Sequence, residues 1–288
     1  MIVQKTQAYW MLILVTVLWG VTFPVINLAA PFIDPALFVT IRFSLAALVM
    51  LPFIWKRFSN TNKLLIYDAI IIGFLNSTSY LTQTIGLGTV PPATAAFITG
   101  LGIVLVPLMS PLLKVGTPTK RDILAVLICL AGLYILTGAN LHHLTRGEDY
   151  IFICAISYAM MIVYLQKTTQ RHTDLYLLAF YEVFFCMLFT MLFVRPSHLF
   201  ITINSAVISA TIYCAATTIA AFVLLTYYQR FVSTTHAALI YALEPVFASI
   251  ASLLLVHEIF NKNLLLGGGI MLVSLLLLSF PIASQSNG

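Results

Sequence analysis

The sequence predicts an all-α integral membrane protein whose ten transmembrane helices form two inverted repeats of five. Three observations lead to this fold class. Of the 288 residues, 61% are hydrophobic and only 8% are charged, whereas about a quarter of the residues of a soluble protein are charged. The apolar residues form continuous runs of about 20 residues, which is the length that crosses a bilayer as a helix. In addition, part of the second half of the chain repeats the first in register.

The first apolar run follows a single basic residue, Lys5, and has no small-residue cleavage site, so we expect a membrane span and not a cleaved signal peptide. Proline, glycine and polar clusters separate the nine runs that follow. Strands of a β-barrel are not expected, because they would show alternating segments of about ten residues. The ten expected helices cover residues 8–28, 35–55, 64–87, 92–113, 122–140, 149–167, 174–194, 204–228, 234–256 and 264–283.

Alternate connections between these helices differ in their Lys and Arg content, which predicts the orientation of the chain. One set of connections carries ten basic residues and the opposite set carries three, so both termini are expected to be cytoplasmic. The net charge is +5, but the basic residues are dispersed along the chain. A nucleic-acid partner is therefore not expected. The ten residues are Lys5, Lys56, Arg57, Lys63, Lys114, Lys120, Arg121, Lys167, Arg171 and Arg230.

Part of the sequence is repeated within the chain. Residues 90–136 align with residues 232–278 without a gap, at an offset of 142 positions. The Ala-Ala pair that begins at Ala95 aligns with the Ala-Ala pair that begins at Ala237. This match carries more weight than identities between leucines, because leucines coincide by chance in so apolar a chain. The alignment indicates a sequence duplication.

The predicted repeats are residues 8–140 and 149–283, with five helices in each. Because five is an odd number, the second repeat enters the membrane in the opposite orientation. Inverted repeats of this kind occur in many secondary transporters, with the substrate site near the midplane where the repeats meet.

Charged residues inside the spans are the sharpest signal in the sequence, because a charge in lipid is costly and usually faces a cavity or a partner. Arg42, Glu182 and Glu244 lie deep, whereas Asp68 lies near a cytoplasmic helix end and is expected to be solvated. Two interpretations stay open. Arg42 pairs with a carboxylate and stabilises helix packing, or one carboxylate titrates or meets a cationic group of a substrate. Glu244 is the better candidate, because Pro245 frees backbone carbonyl groups nearby.

Polar and aromatic side chains collect at the depth of Glu244. Lipid-facing surfaces would not place such groups where their burial costs most, so we predict a central polar cavity with aromatic walls, suited to small amphipathic solutes. Interhelical hydrogen bonds are the competing explanation. The expected substrate-binding residues are Trp19, Asn76, Tyr80, Gln83, Thr99, Tyr158, Tyr241 and Glu244.

Enzyme signatures are missing from the sequence. It has no G-x-x-x-x-G-K-[ST] loop for ATP, and its histidines lack the spacing of metal ligands. His142 and His143 are expected to be solvated in a non-cytoplasmic loop. The four cysteines lie in apolar stretches, where they behave as small hydrophobic residues. We therefore expect no enzyme, no cofactor and no metal.

The segment Tyr-Ala-Leu-Glu-Pro-Val-Phe from Tyr241 to Phe247, followed by His257 and Glu258, resembles the second repeat of EamA-type transporters of the drug/metabolite transporter superfamily. The resemblance spans roughly residues 8–283. One departure is Gly116, which stands where the second repeat has Glu258, and Glu182 is not a recognised family feature. The other matching motifs are Leu18-Trp19-Gly20, Arg42-Phe43 and Phe97-Ile98-Thr99-Gly100 with Pro107.

The resemblance implies transport of small metabolites across a bacterial inner (plasma) membrane by alternating access, commonly export of amino acids or related compounds. The expected partners are a small-molecule substrate and the lipid bilayer. The alternative is uptake or exchange of a larger metabolite, such as a nucleoside-type cofactor, without net proton coupling. A third possibility, an intramembrane enzyme or structural subunit, has no catalytic cluster in its favour.

Overall fold

The computed structural model describes residues 2–137, 145–196, 199–257 and 262–279, and they form helices joined by short connections. Within these ranges there is no β-strand, and one isolated antiparallel bridge joins Ile33 and Ile201. The all-helical fold class is therefore confirmed. His142, His143 and Glu258 lie outside the described residues, as do the ends of the predicted helices 122–140 and 264–283.

Twelve α-helices occur in the described ranges, and several of them run in series along one span. A 3₁₀ turn, Leu101–Val104, connects the fourth helix to the fifth. The helices are α1 (Ile2–Ala29), α2 (Pro35–Ile54), α3 (Lys63–Leu87), α4 (Pro92–Gly100), α5 (Leu105–Met109), α6 (Lys120–Thr137), α7 (Arg146–Arg171), α8 (Leu175–Met191), α9 (Ser205–Tyr228), α10 (Thr234–Tyr241), α11 (Glu244–Leu255) and α12 (Asn263–Ser279).

Seven segments of the described chain are helical, long and apolar enough to cross a membrane, so the protein is a multi-pass membrane protein. Helices α8 and α12 contain shorter apolar segments, and α6 begins with three charged residues. The count of ten membrane helices stays a prediction. The seven spans are Gln4–Phe32, Pro35–Asn60, Lys63–Leu87, Pro92–Met109, Arg146–Arg171, Ser205–Phe231 and Thr234–Leu255.

Short polar side chains start many of these helices. The side chain of Asn62, for example, accepts the backbone N–H of Leu65 at 2.9 Å. Such caps satisfy backbone donors that have no partner within the first helical turn. Thr145 and Glu148 form a reciprocal capping box at the start of α7. The other side-chain caps are Asp34 at α2, Asp174 at α8, Asn204 at α9 and Ser233 at α10.

The closest helix pairs join the first half of the chain to the second. Helix α1 packs against α9 and α11, α3 packs against α7 and α8, and α2 packs against α8 and α9. In the predicted duplication, α1, α2 and α3 correspond to α7, α8 and α9 in that order. Exchanging each helix for its equivalent turns the pair α1–α9 into α7–α3, and the pair α2–α9 into α8–α3. Both of the resulting pairs occur. This reciprocity is what a two-fold axis between two repeats would produce, and it supports the predicted duplication.

Helices α6 and α12 form a separate pair that depends on small residues. A Cβ atom placed on Gly267 would lie 2.5 Å from the carbonyl oxygen of Gly132 and still closer to the backbone nitrogen of Leu136. A Cβ on Gly132 would lie 2.7 Å from the carbonyl oxygen of Gly267. The two backbones therefore touch, as is typical of small residues where membrane helices cross.

The substitution Gly267→Ala should lower the stability of the protein by about 1–3 kcal/mol, because overpacking at a close backbone contact forces the helices apart. The matched control is Gly269→Ala in the same glycine triplet, where an added Cβ meets nothing within 4 Å. Thermal unfolding of both variants in detergent measures the difference. Equal melting temperatures would contradict the close contact.

Candidate functional site

A cavity lies among α1, α3, α4, α7 and α11 at the centre of the described helices. The space between its walls has a volume of about 360 Å³. The side chains divide this space so closely that it has room for about one water molecule in this conformation. The lining residues are Trp19, Thr22, Asn76, Ser79, Tyr80, Gln83, Thr99, Tyr158, Met161 and Glu244.

A second cavity of about 260 Å³ adjoins the first, since Thr99, Tyr158 and Glu244 line both. Tyr241 lines this second cavity together with Ala242. All eight side chains that the sequence assigned to a central layer thus surround one connected region. Their role in substrate binding stays a prediction.

Two interrupted helices border this region. Helix α10 ends at Tyr241 and α11 begins at Glu244, whereas a continuous helix was predicted over 234–256. In the first half, α4 ends at Gly100 and a 3₁₀ turn follows, whereas a continuous helix was predicted over 92–113. Each segment is still a single apolar span, Pro92–Met109 or Thr234–Leu255, but a turn interrupts its helix, so only the expectation of unbroken helices was wrong. Pro245 explains the break between α10 and α11, because proline cannot donate the backbone hydrogen bond that would continue α10.

The two breaks fall at equivalent positions, because the 142-residue offset places Gly100 on Ala242. Interrupted helices at corresponding depths are the strongest indication of a transporter binding site. The break also puts Glu244 at the first position of α11, where the positive end of the helix dipole favours its charge.

Glu244 is 6% exposed, and its carboxylate has no hydrogen bond or ion pair within the described ranges. Helix α1 comes close beside it, because a Cβ on Gly20 would lie 3.1 Å from the carbonyl oxygen of Glu244 and 2.6 Å from the Cβ of Phe247. Only glycine permits this approach, and Trp19 and Glu244 line the same cavity.

Three aromatic rings from three helices form one wall of the site. The ring centroids of Trp19 and Tyr158 are 5.8 Å apart, those of Trp19 and Tyr241 are 6.0 Å apart, and those of Tyr158 and Tyr241 are 6.2 Å apart. The Tyr241 hydroxyl donates to the side-chain carbonyl of Gln229 at 3.1 Å. The indole N–H of Trp19 and the hydroxyl of Tyr158 are buried without a partner among the described residues.

Helix α3 presents polar groups along one face of the cavity at the spacing of successive helical turns. Asn76, Ser79, Tyr80 and Gln83 all line it, and the side-chain NH₂ of Asn76 is another buried donor without a described partner. Ser79 lies 3.3 Å from the thiol of Cys154 on α7. The orphaned donors show that this region can hydrogen-bond to a ligand.

Sequence reasoning missed Thr22, Ser79 and Met161, which also line the cavity. Each lies three residues after a predicted lining residue: Thr22 after Trp19, Ser79 after Asn76 and Met161 after Tyr158. Side chains at this spacing share a helix face, so the helical period could have identified all three.

Arg42 is fully buried, and it does not line either cavity. Its Nε atom donates to the hydroxyl of Thr218 at 2.6 Å, and its guanidinium carbon lies 4.7 Å from the ring centroid of Tyr80. The two terminal nitrogens have no partner among the described residues. The interpretation that Arg42 pairs with a carboxylate is therefore wrong within these ranges, and the aromatic face of Tyr80 stabilises the cation.

Glu182 also lies outside the cavities. One of its carboxylate oxygens accepts a long hydrogen bond from Thr226 at 3.4 Å, and the other has no partner in the described part of the chain. Both residues lie on the interface between α8 and α9. Glu182 is therefore a second buried carboxylate that does not contact the central region.

Asp68 was expected to be solvated, but it is fully buried. One carboxylate oxygen accepts hydrogen bonds from the Tyr164 hydroxyl at 2.7 Å and from the guanidinium of Arg171, and the other lies 2.7 Å from Nε2 of His172. Asp68 belongs to α3 and its partners belong to the end of α7. Basic partners that are distant in sequence and close in space explain why a carboxylate can be buried here.

A second bridge lies on the same predicted cytoplasmic side. Asp174 accepts hydrogen bonds from Arg57 at 3.2 Å and from Asn60 at 2.9 Å, and the guanidinium of Arg57 lies over the ring of Tyr176. Burial raises the pKa of Asp174, but the hydrogen bonds from Asn60, the Leu177 N–H and Arg57 outweigh it and hold the pKa below its usual value. This stabilisation is present at neutral pH and is lost only as the pH falls through the lowered pKa.

The substitution Asp68→Asn should lower the stability of the protein by about 2 kcal/mol, because it removes charge-assisted hydrogen bonds to Arg171 and His172. Asp149→Asn is the control, since Asp149 is exposed in the first turn of α7 and should cost less than about 1 kcal/mol. Thermal unfolding in detergent at pH 7 compares the two variants. An Asp68→Asn variant as stable as the wild type would show that the contacts of Asp68 with Arg171 and His172 contribute nothing to the stability of the protein.

Comparisons with known proteins agree with this architecture. A sequence profile of the EamA-like transporter family matches the chain twice, at residues 6–138 and 145–280. The structure is also similar to a solved structure described as "Crystal structure of protein", with a TM-score of 0.75 and 16% sequence identity, over 95% of this chain and 98% of that one. At that identity the likeness concerns the fold alone.

Two curated relatives carry transporter names. An "Uncharacterized transporter" of Archaeoglobus fulgidus is 29% identical over 283 residues, which cover 97% of this chain and 88% of the relative. The "Uncharacterized transporter YvbV" of Bacillus subtilis is 27% identical over 183 residues, which cover 61% of this chain and 59% of the relative.

Proposed function

Since this chain belongs to the EamA-like transporter family, we propose that it is a secondary active transporter of small amphipathic metabolites. Amino acids or related compounds are the leading substrate class, and export is the leading direction. The observation that carries the proposal is the connected central region around Glu244, where an unpaired carboxylate, aromatic rings and orphaned hydrogen-bond donors meet at a break in a helix. A charge inside the membrane is costly and usually faces a cavity or a partner, so a lipid-facing surface would not collect these groups.

The structure of the cavity favours alternating access over a permanent channel. Because it has room for about one water molecule, it is too narrow for any metabolite to enter without movement of the walls. The helices around it come from both halves of the chain, so a change in how the halves pack would widen it. We propose two inverted repeats of five helices, residues 8–140 and 149–283, as the units that move.

The two carboxylate bridges suit such a movement. Asp68 with Arg171 and His172, and Asp174 with Arg57, both connect the first proposed repeat to the second. All lie on the side that the distribution of basic residues assigns to the cytoplasm of a bacterial inner membrane. In our proposal they keep the cytoplasmic side closed, and they separate when the site opens inward.

Proton coupling through Glu244 is a further part of the proposal. Its carboxylate faces the cavity without a partner among the described residues, so either a proton or a cationic substrate group could occupy it. Exchange of a larger metabolite without net protons is the alternative, and counterflow assays with and without a pH gradient separate the two. Proton coupling predicts a gradient-dependent rate, and simple exchange predicts none.

The substitution Glu244→Gln should lower flux in proteoliposomes by at least about tenfold, which corresponds to the loss of one charged contact, and should abolish the dependence of the rate on pH. Glu182→Gln is the matched control, because Glu182 is an equally buried carboxylate outside the cavity. Flux is measured with a set of radiolabelled amino acids and aromatic amines. If Glu244→Gln leaves both the rate and its pH dependence unchanged, the proposed role of Glu244 is wrong.

A further inference from the structure

We propose that the central site is selective for substrates of net charge +1: an amine or quaternary ammonium group on an aromatic or aliphatic body, with any oxygen atoms uncharged. The inference rests on the proposed function only in taking this cavity as the substrate site. Within the small amphipathic metabolites of the proposed function, it favours amines and related compounds whose carboxylate is absent or masked, and it disfavours amino acids with a free carboxylate.

The first argument is the charge of the lining. Among the described residues, the lining of the two adjoining cavities includes one carboxylate, Glu244, and no Lys, Arg or His. A carboxylate in a low-dielectric region needs a positive partner. A monocation would neutralise Glu244. A zwitterion would leave a second carboxylate in the cavity without a cation, and an anion would place two like charges together.

The second argument is the aromatic wall. Trp19, Tyr158 and Tyr241 pack with their ring centroids about 6 Å apart beside the carboxylate, and Tyr80 lines the same space. Electron-rich ring faces attract ammonium groups, and the attraction is strongest when water is excluded. A carboxylate together with such rings is suited to a cation and repels an anion.

The third argument concerns the groups that could hold a substrate carboxylate. Pro245 has no N–H, and the N–H groups of Val246 and Phe247 already donate to the carbonyl of Leu243. The start of α11 therefore offers little to an anion. The orphaned donors of Trp19, Asn76 and Tyr158 are uncharged, which suits a hydroxyl or carbonyl oxygen.

Arg42 is a buried cation beside Tyr80, and it could contradict the inference. Its guanidinium group lies 4.7 Å from the centroid of the Tyr80 ring and bonds to Thr218, and neither cavity includes it among the lining residues. As long as Tyr80 keeps this position, Arg42 has no direct contact with a molecule in the cavity. Phenylalanine is therefore the decisive ligand, because it would bind well only if Arg42 supplied a carboxylate site.

The experiment is isothermal titration calorimetry on the purified full-length chain in detergent, with five compounds that share a phenylethyl body. These are phenethylamine, phenylethyltrimethylammonium, 2-phenylethanol, phenylalanine and 3-phenylpropionate. We expect the two cations to bind at least about tenfold more tightly than phenylalanine and 3-phenylpropionate, as one unneutralised charge would cause. Glu244→Gln should abolish this preference, and Glu182→Gln should retain it.

Three results would overturn the inference: phenylalanine binding as tightly as phenethylamine, no binding of either cation to folded protein, or a preference that survives Glu244→Gln. Size-exclusion chromatography and thermal unfolding establish that each variant is folded. If Glu244→Gln does not fold, the same compounds are titrated into the wild type and into Glu244→Asp. Both should bind the cations more tightly than phenylalanine and 3-phenylpropionate, because both keep a carboxylate at this position. Cation-selective binding without counterflow in proteoliposomes would reject the transport proposal alone, and counterflow of phenylalanine without cation selectivity would reject this inference alone.

Discussion

The free-energy cost of a carboxylate in the middle of a membrane is the constraint on which the central site depends. Glu244 is almost fully buried and has no partner within the described residues, so its surroundings must compensate in other ways. The helix break gives it the positive end of α11, and the cavity gives it space beside orphaned polar groups. The Glu244 carboxylate is therefore stabilised enough to remain buried, yet it has no partner among the described residues and could accept one from a ligand. The proposed transport site requires both conditions.

Two other buried charges show how neighbouring helices can meet the same constraint when no ligand is involved, whereas Glu182 has only the long hydrogen bond from Thr226 among the described residues. Asp68 is surrounded by Tyr164, Arg171 and His172, and Arg42 lies against the ring of Tyr80. In both cases the protein supplies the compensation from a neighbouring helix. The contrast with Glu244 distinguishes a charge that stabilises packing from one that faces an open site.

Depth along the helices was enough to predict most of the site from the sequence. Each residue advances a helix by about 1.5 Å, so polar residues at equal distances from the span ends fall in one layer, and the structure brings all eight predicted side chains together. Pro245 indicated a local disturbance of the helix, but the full break there and its counterpart after Gly100 were not predicted, since a hydrophobic run has the same pattern whether or not a turn interrupts it. The partners of Asp68 and Arg42 were not predicted either, because they depend on which helices are neighbours.

The accessibility of the cavity from each side of the membrane is the measurement that tests alternating access most directly. Ser79 lines the cavity, so Ser79→Cys, with the four native cysteines replaced, introduces a single reactive thiol there. A membrane-impermeant maleimide is added to the outside or the inside of oriented proteoliposomes. Alternating access predicts labelling from both sides, slowed by a bound substrate. Labelling from one side only, or none while a loop cysteine reacts, would contradict it.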